Sequence, residues 1–159
     1  MTGKKILTIA VIGIGGLMLF GFKKYNTAKE VLNNIEVGVK SISSIKISFK
    51  EIKFNAVLTL KNLTNIDFGA TLTSKIIVKQ IRVYNKENQY IGKAETVFYE
   101  LDLPANSTVE LPEVKVNLDL DKALNEFLNN PDTYLNQDFS NLNFKIDVEV
   151  FGNLLTLTA

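Results

Sequence analysis

From Ser43 onward, apolar side chains recur at every second residue, and no helical crossover separates one alternating run from the next. Successive side chains of a strand point to opposite faces, so such a chain builds strands with one apolar and one polar face. Alternation over Ser43–Phe54 places Ile45, Ile47 and Phe49 inward against Lys46, Ser48 and Lys50. Further runs follow at Val57–Leu63, Lys75–Tyr84, Gln89–Glu95, Thr96–Leu103, Val109–Leu120, Leu142–Phe151 and Leu154–Thr158. Ile76-Ile77-Val78 breaks the alternation and predicts a bulge. Asn62–Asp67, Asn85–Asn88, Pro104–Ser107 and Gly152-Asn153 have turn chemistry. Asp121 is placed to cap one short helix that ends at Asn130, before Pro131. Antiparallel strands with one apolar face bury it against one another. The expected fold class is therefore all-β: an antiparallel β-sandwich of about seven strands with one short helix.

A different pattern precedes the strands. Ile6–Phe22 holds seventeen residues without a charge, with Thr8 its sole polar side chain. As a helix it spans roughly 25 Å, slightly short of a hydrocarbon core of roughly 30 Å. Lys4, Lys5, Lys23 and Lys24 flank it, and their long stems can reach the headgroups. A single transmembrane helix is expected, with Ile6, Leu7, Ile9, Val11, Ile12, Ile14, Leu17, Leu19, Phe20 and Phe22 as its lipid-facing anchor. The end of the run, Phe20 to Lys24, is a poor signal-peptidase site, and a lipoprotein anchor needs a Cys that is absent. Lysine counts on the two sides are too even to orient the helix. The expected organisation is an anchor at 1–25, a stalk or linker at 26–42 and a β-domain at 43–159. Within the stalk, Val31, Leu32, Ile35 and Val39 recur at helical spacing over Thr27–Lys40.

Composition narrows the chemistry. The chain has no His and no Cys, which removes hydroxyl or thiol triads built on histidine, thiolate nucleophiles and most zinc sites. Asn117, Asp119 and Asp121 have the i, i+2, i+4 spacing of a calcium loop, but Lys122 and Leu128 stand where its Gly and Glu belong. Glu95, Glu100 and Asp102 are carboxylates at ordinary outward strand positions. Asn62 and Asn106 begin glycosylation triplets. None of these outweighs its structural explanation. The expectation is a protein without catalytic residues, metal or cofactor.

Charge is divided along the chain. Met1–Lys61 carries ten Lys and three Glu; the remainder carries eight basic and fourteen acidic residues. Seventeen of the eighteen basic residues are Lys, so base or phosphate recognition by bidentate Arg has little to work with, and nucleic acid is not an expected partner. Lys46, Lys50, Lys53 and Lys61 form a basic group suited to lipid headgroups.

The β-region resembles a known family, the group-2 late-embryogenesis-abundant proteins and their WHy (water stress and hypersensitive response) domain. The resemblance runs from about Ser43 to Leu120. It is carried by Ile45–Phe54 leading into Ala56–Asn62, Leu63-Thr64-Asn65, the Val83–Gly92 hairpin, Leu103-Pro104-Ala105-Asn106-Ser107-Thr108 and the alternating Val114–Leu120. The family's Pro in the first turn is missing here, as is any Trp. The resemblance implies a non-catalytic sandwich held at a membrane by an N-terminal segment, with no catalytic residues to transfer. The expected partners are a lipid bilayer and a protein, with a capsid or other envelope protein as one form. The chain would then be a structural or interaction module of a bacterial envelope, or of the virion membrane of a lipid-containing bacteriophage. The alternative is a carrier of an apolar ligand such as a lipid, held between the sheets.

Overall fold

A computed structural model describes residues 22–69, 75–95, 99–123 and 142–158, together with Val11–Ile12. Its elements are β1 (Val11–Ile12), α1 (Phe22–Asn33), β2 (Ile35–Ile47), β3 (Glu51–Asn62), β4 (Ile76–Tyr84) and β5 (Tyr90–Glu95). They continue as β6 (Tyr99–Leu101), β7 (Thr108–Glu110), β8 (Val114–Asp119), β9 (Asn143–Val150) and β10 (Asn153–Thr158). The expected antiparallel β architecture is present. All strands among the described residues belong to one continuous sheet in the order β1-β10-β9-β4-β5-β8-β3-β2, with β6 on β4 and β7 on β3. The sheet curls into a half-barrel, so its two halves face one another across one core rather than forming two separate sheets.

The seam between the halves is β5 against β8, where Gly92 is opposite Leu118 and Lys93 opposite Asn117. A Cβ on Gly92 would lie 2.2 Å from the Asn117 carbonyl oxygen and 2.8 Å from Leu118 Cα. Only glycine admits that approach.

The concave face holds the core. Ile52, Phe54, Ala56, Leu58 and Leu60 of β3 alternate into it, as do Phe144, Ile146, Val148 and Val150 of β9. In β4 the buried set is Ile76, Val78, Ile81 and Val83, and the register slips between Val78 and Gln80. The expected bulge is thus there, set at Lys79 just beyond the triplet that signals it. One extra residue restores the apolar phase that a strict two-residue repeat would have inverted.

Other expectations are corrected. The helix expected over 27–40 ends at Asn33. The Asn34 amide donates to the Val31 carbonyl and its side chain to the Glu30 carbonyl, closing the last turn. β-Branched Ile35, Val37 and Val39 then pair with β3. Ala28, Val31, Leu32 and Ile35 are buried in the same core as the strands, so 26–42 contributes packing as well as a connection. The long run Val109–Leu120 is split by Leu111-Pro112-Glu113 into β7 and β8, because proline cannot donate to a ladder. The helical turn enters at Leu120, two residues earlier than expected, and Asp119 rather than Asp121 is its cap: the Asp119 carboxylate accepts from the Asp121 amide at 3.1 Å. The rest of that expected helix, with Leu124, Phe127 and Leu128, lies outside the described residues, as does Phe98.

Asn62 pins the turns at the β3 end. Its side-chain amide donates to the carbonyls of Ile66 (2.9 Å), Pro104 (3.1 Å) and Leu103 (3.3 Å). Its oxygen accepts from the amide (2.9 Å) and hydroxyl (2.7 Å) of Thr64. The residue is fully buried, so this Asn is structural and sterically closed to a glycan. Asn106 is exposed, with φ 51°, the left-handed position of the Pro104–Ser107 turn.

Two stability outcomes follow. Replacement of Asn62 by Ala strands several buried polar groups and should cost about 3 kcal/mol or more in denaturant unfolding. Gly92→Ala drives a methyl into the β8 backbone and should cost about 1–3 kcal/mol, with amide exchange accelerated first in β5 and β8.

Candidate functional site

The hairpin joining β2 to β3 extends past the core. Ile47 is opposite Ile52 and therefore on the concave face, yet it is 56% exposed while Ile52 is buried. Phe49, in the turn Ser48-Phe49-Lys50, is fully exposed. The expectation that Ile45, Ile47 and Phe49 fill the interior is corrected: Ile45 is half-buried, and the other two reach beyond the sheet that would cover them. The turn is closed by backbone and hydroxyl: the Ser48 amide and Oγ both donate to the Glu51 carbonyl at 3.0 Å.

The concave face of β2 is incompletely covered along much of its length. Val39 is 41% exposed, and Ile42 and Ile45 are half-buried against the core rim. β2 ends the sheet, and β10 comes near it without pairing to it among the described residues. The open edge of β2 is interrupted by register shifts between Val39 and Ser41 and between Ser43 and Lys46. Ser44, at φ 55°, sits within the second.

On the convex face, strand register brings cations into one transverse row. Lys46 is opposite Lys53, Lys53 opposite Asn117, Asn117 opposite Lys93, Lys93 opposite Arg82, and Arg82 opposite Lys145. Neighbouring positions in such a row are about 4.8 Å apart across the ladder. Lys53 is paired with Glu51 at 2.6 Å and Arg82 with Asp147 at 2.6 Å. Lys46, Lys93 and Lys145 have no carboxylate within ion-pair distance among the described residues. Lys145 instead sits 4.1 Å from the centroid of the Tyr84 ring. Like charges directly opposite are unfavourable in a sheet, so this row is a cost the fold carries.

Arg82 and Asp147 form a polar centre on the convex face. Asp147 is on the polar face of β9 yet nearly buried, and Thr156 Oγ1 donates to the same carboxylate oxygen at 2.6 Å. Arg82 also donates to the Tyr84 hydroxyl at 3.0 Å. Burial works against the charge of Arg82, and the hydrogen bond and proximity of Asp147 outweigh it, so its pKa is raised. With the carboxylate held by both Arg82 and Thr156, the pair is a structural clamp between β4, β9 and β10.

The remaining sequence candidates are dispersed. Glu100 is paired with Lys75 at 2.7 Å, which raises the Lys75 pKa. Glu95 accepts from Asn117 at 3.4 Å, while Asp119 is occupied by its helix cap and by Lys122 at 3.7 Å. No group of three acidic residues among those described could hold a metal ion. Lys61 is separated from Lys46, Lys50 and Lys53: it lies at the other end of β3, 3.9 Å from Glu36.

Of the anchor residues, Ile6, Leu7, Ile9, Ile14, Leu17, Leu19 and Phe20, with Lys4 and Lys5, lie outside the described residues. Val11 and Ile12 are extended rather than helical, pairing with Leu155 and Leu154 on the free edge of β10. That edge offers ladder partners to two β-branched residues. Phe22, Lys23 and Lys24 open α1. No helix among the described residues is long and apolar enough to cross a membrane.

No family model matches the chain, and no curated protein matches it. Among solved structures it is similar to a protein from Archaeoglobus fulgidus, with 8% identity and a TM-score of 0.41, covering 77% of this chain and 91% of that one. It is also similar to a protein from Arabidopsis thaliana whose solution structure is known, with 11% identity and a TM-score of 0.39, covering 77% of this chain and 76% of that one.

Tyr99 supplies a pH test of the fold around these surfaces. Burial pushes its phenol up to about 12, and its hydroxyl has no hydrogen-bond partner among the described residues. The unfolded phenol titrates near 10. Between pH 10 and 12 the unfolded chain therefore holds fewer protons than the folded one, and stability falls as pH rises. Tyr99→Phe lacks this loss and leaves no buried hydroxyl unpaired. It should be more stable than the parent by about 1 kcal/mol at pH 7, with the gap widening from pH 10 to 12 in denaturant unfolding.

Proposed function

We propose that this protein is a non-catalytic, membrane-anchored interaction module whose docking surface is the uncovered concave face of β2. The observation that carries the reading is the row Val39, Ile42 and Ile45, apolar side chains that the half-barrel leaves exposed or half-exposed along its open flank. The bulges of β2 interrupt its open edge, so the row favours recognition by apolar side chains over addition of a strand. The partner is a protein with a complementary apolar ridge. A capsid or envelope protein is the narrower form, in which the module bridges a shell and a bilayer.

The anchor is Ile6–Phe22, supported by its uncharged run and flanking lysines. On insertion the segment gives up the short pairing of Val11 and Ile12 with β10. The resemblance to group-2 late-embryogenesis-abundant proteins belongs to the same reading. Large buried side chains, Phe54, Phe68 and Phe144 among them, favour it over a carrier with a ligand cavity.

The test is photo-crosslinking in producing cells from a reactive residue placed at Val39, with Lys115 on the convex face as control, followed by alkaline extraction of the membranes. The expected result is one adduct to an envelope or capsid protein from position 39 alone, in a chain that resists extraction. Equal adducts from both positions would remove the docking surface, and release by alkali would remove the anchor.

A further inference from the structure

We propose that the β2–β3 hairpin tip is a second, separate contact: it enters the headgroup layer of an anionic bilayer, with Phe49 and Ile47 as the apolar insertion and Lys46 and Lys50 as the headgroup contacts. Phe49 is fully exposed and Ile47 more than half exposed, at the extreme end of the sheet, where neither adds to the core. An isolated aromatic held in water by a closed turn is the geometry of an interfacial anchor. The backbone around it is tied at both sides, by Ser48 to Glu51 and by the Leu120 amide to the Lys50 carbonyl at 3.2 Å.

Charge selects the bilayer. Lys46 and Lys50 flank the two apolar side chains, and neither has an ion-pair partner among the described residues. Of the acidic neighbours, Glu51 and Asp119 are taken up by Lys53 and Lys122 respectively, and Asp121 is exposed beside Leu120. Behind Phe49, at about 10–13 Å along the strands, the transverse row Lys46, Lys53, Lys93, Arg82 and Lys145 crosses the convex face. A domain standing on its tip would hold this collar toward the negative surface. Each Lys near such a surface strengthens binding about fivefold. Insertion of the tip is independent of Ile6–Phe22 acting as an anchor, because it follows from the tip's own exposure and charge. The tip also lies at the end of β2 opposite the α1 junction, since Ile35 is opposite Asn62 and Ile47 opposite Ile52.

The chain has no Trp, so Phe49→Trp places a single reporter at the tip of the full-length protein. Phe151→Trp, in the β9–β10 turn at the other end of the sheet, reports on a partly exposed site away from the proposed contact. With vesicles of phosphatidylcholine plus phosphatidylglycerol, emission from the Phe49→Trp variant should move to shorter wavelength and be quenched by brominated acyl chains. Emission from the Phe151→Trp variant should do neither. K46Q/K50Q on the Phe49→Trp background should lower the apparent affinity for anionic lipid about thirtyfold. The proposal is overturned if the indole at position 49 keeps its aqueous emission with every vesicle, which would leave the tip to a protein partner. It is equally overturned if the shift is the same on pure phosphatidylcholine, or if the indole at position 151 shifts to the same extent. Because the reporter is local, loss of the Ile6–Phe22 anchor and loss of tip insertion give different signals.

Discussion

The contact of β5 with β8 at Gly92 is what makes one molecule of two half-sheets. On one side lie β8, β3, β2 and β7; on the other β5, β4, β9, β10, β6 and β1. Each half has an apolar face with nothing of its own to cover it. The backbones meet closely enough to hydrogen-bond only because no side chain stands at position 92. From that join the sheet's curl brings the halves face to face, and Phe54 from one and Phe144 from the other are buried in a common interior. Among the described residues β2, the last strand on its side of the seam, has a neighbour on only one side. Val39, Ile47 and the adjoining Phe49 are left exposed there for that reason.

How far this is legible in the sequence depends on what kind of signal each feature leaves. Leu142, Phe144, Ile146, Val148 and Val150 alternate without a fault and are all buried. The triplet Ile76-Ile77-Val78 keeps regular alternation, and the bulge follows it at Lys79, where the buried Val78 and Ile81 stand three residues apart instead of two. Alternation states which face a residue takes, however, and not whether anything lies over that face. Ile47 and Phe49 follow the same pattern as Ile52 and Phe54 and end in water. Gly92 has no periodic signature at all; its role appears only when the strand opposite is known. Alternation correctly turns Asp147 away from the core, but its cross-strand neighbours on that side, Arg82 and Thr156, come from parts of the chain far apart in sequence. The helical spacing over Thr27–Lys40 is a coincidence of period: Val31 and Leu32 belong to a helix, Ile35 and Val39 to a strand, and Asn34 marks the change.

The candidate surfaces are legible to a lesser degree. Lys46, Lys50 and Lys53 are close in sequence, and the fold keeps them together while carrying Lys61 to the far end of β3. The cationic row across the convex face leaves no trace in the sequence, since its members come from five different strands and are aligned only by register. At the tip of β2 and β3 the exposed Ile47 and Phe49 and the flanking Lys46 and Lys50 are neighbours in sequence, whereas the rest of the cationic row is brought beside them by register alone.

The two irregularities in β2 have a consequence for crowding. Between them and the strand ends, the longest uninterrupted register is Ile35–Val39, five residues. Fibril-forming zippers use segments of about six or seven. An open strand thirteen residues long would otherwise be a template for the same strand of a neighbouring copy. Broken in this way, it offers a neighbouring copy no register of that length, and copies brought close together stay separate molecules.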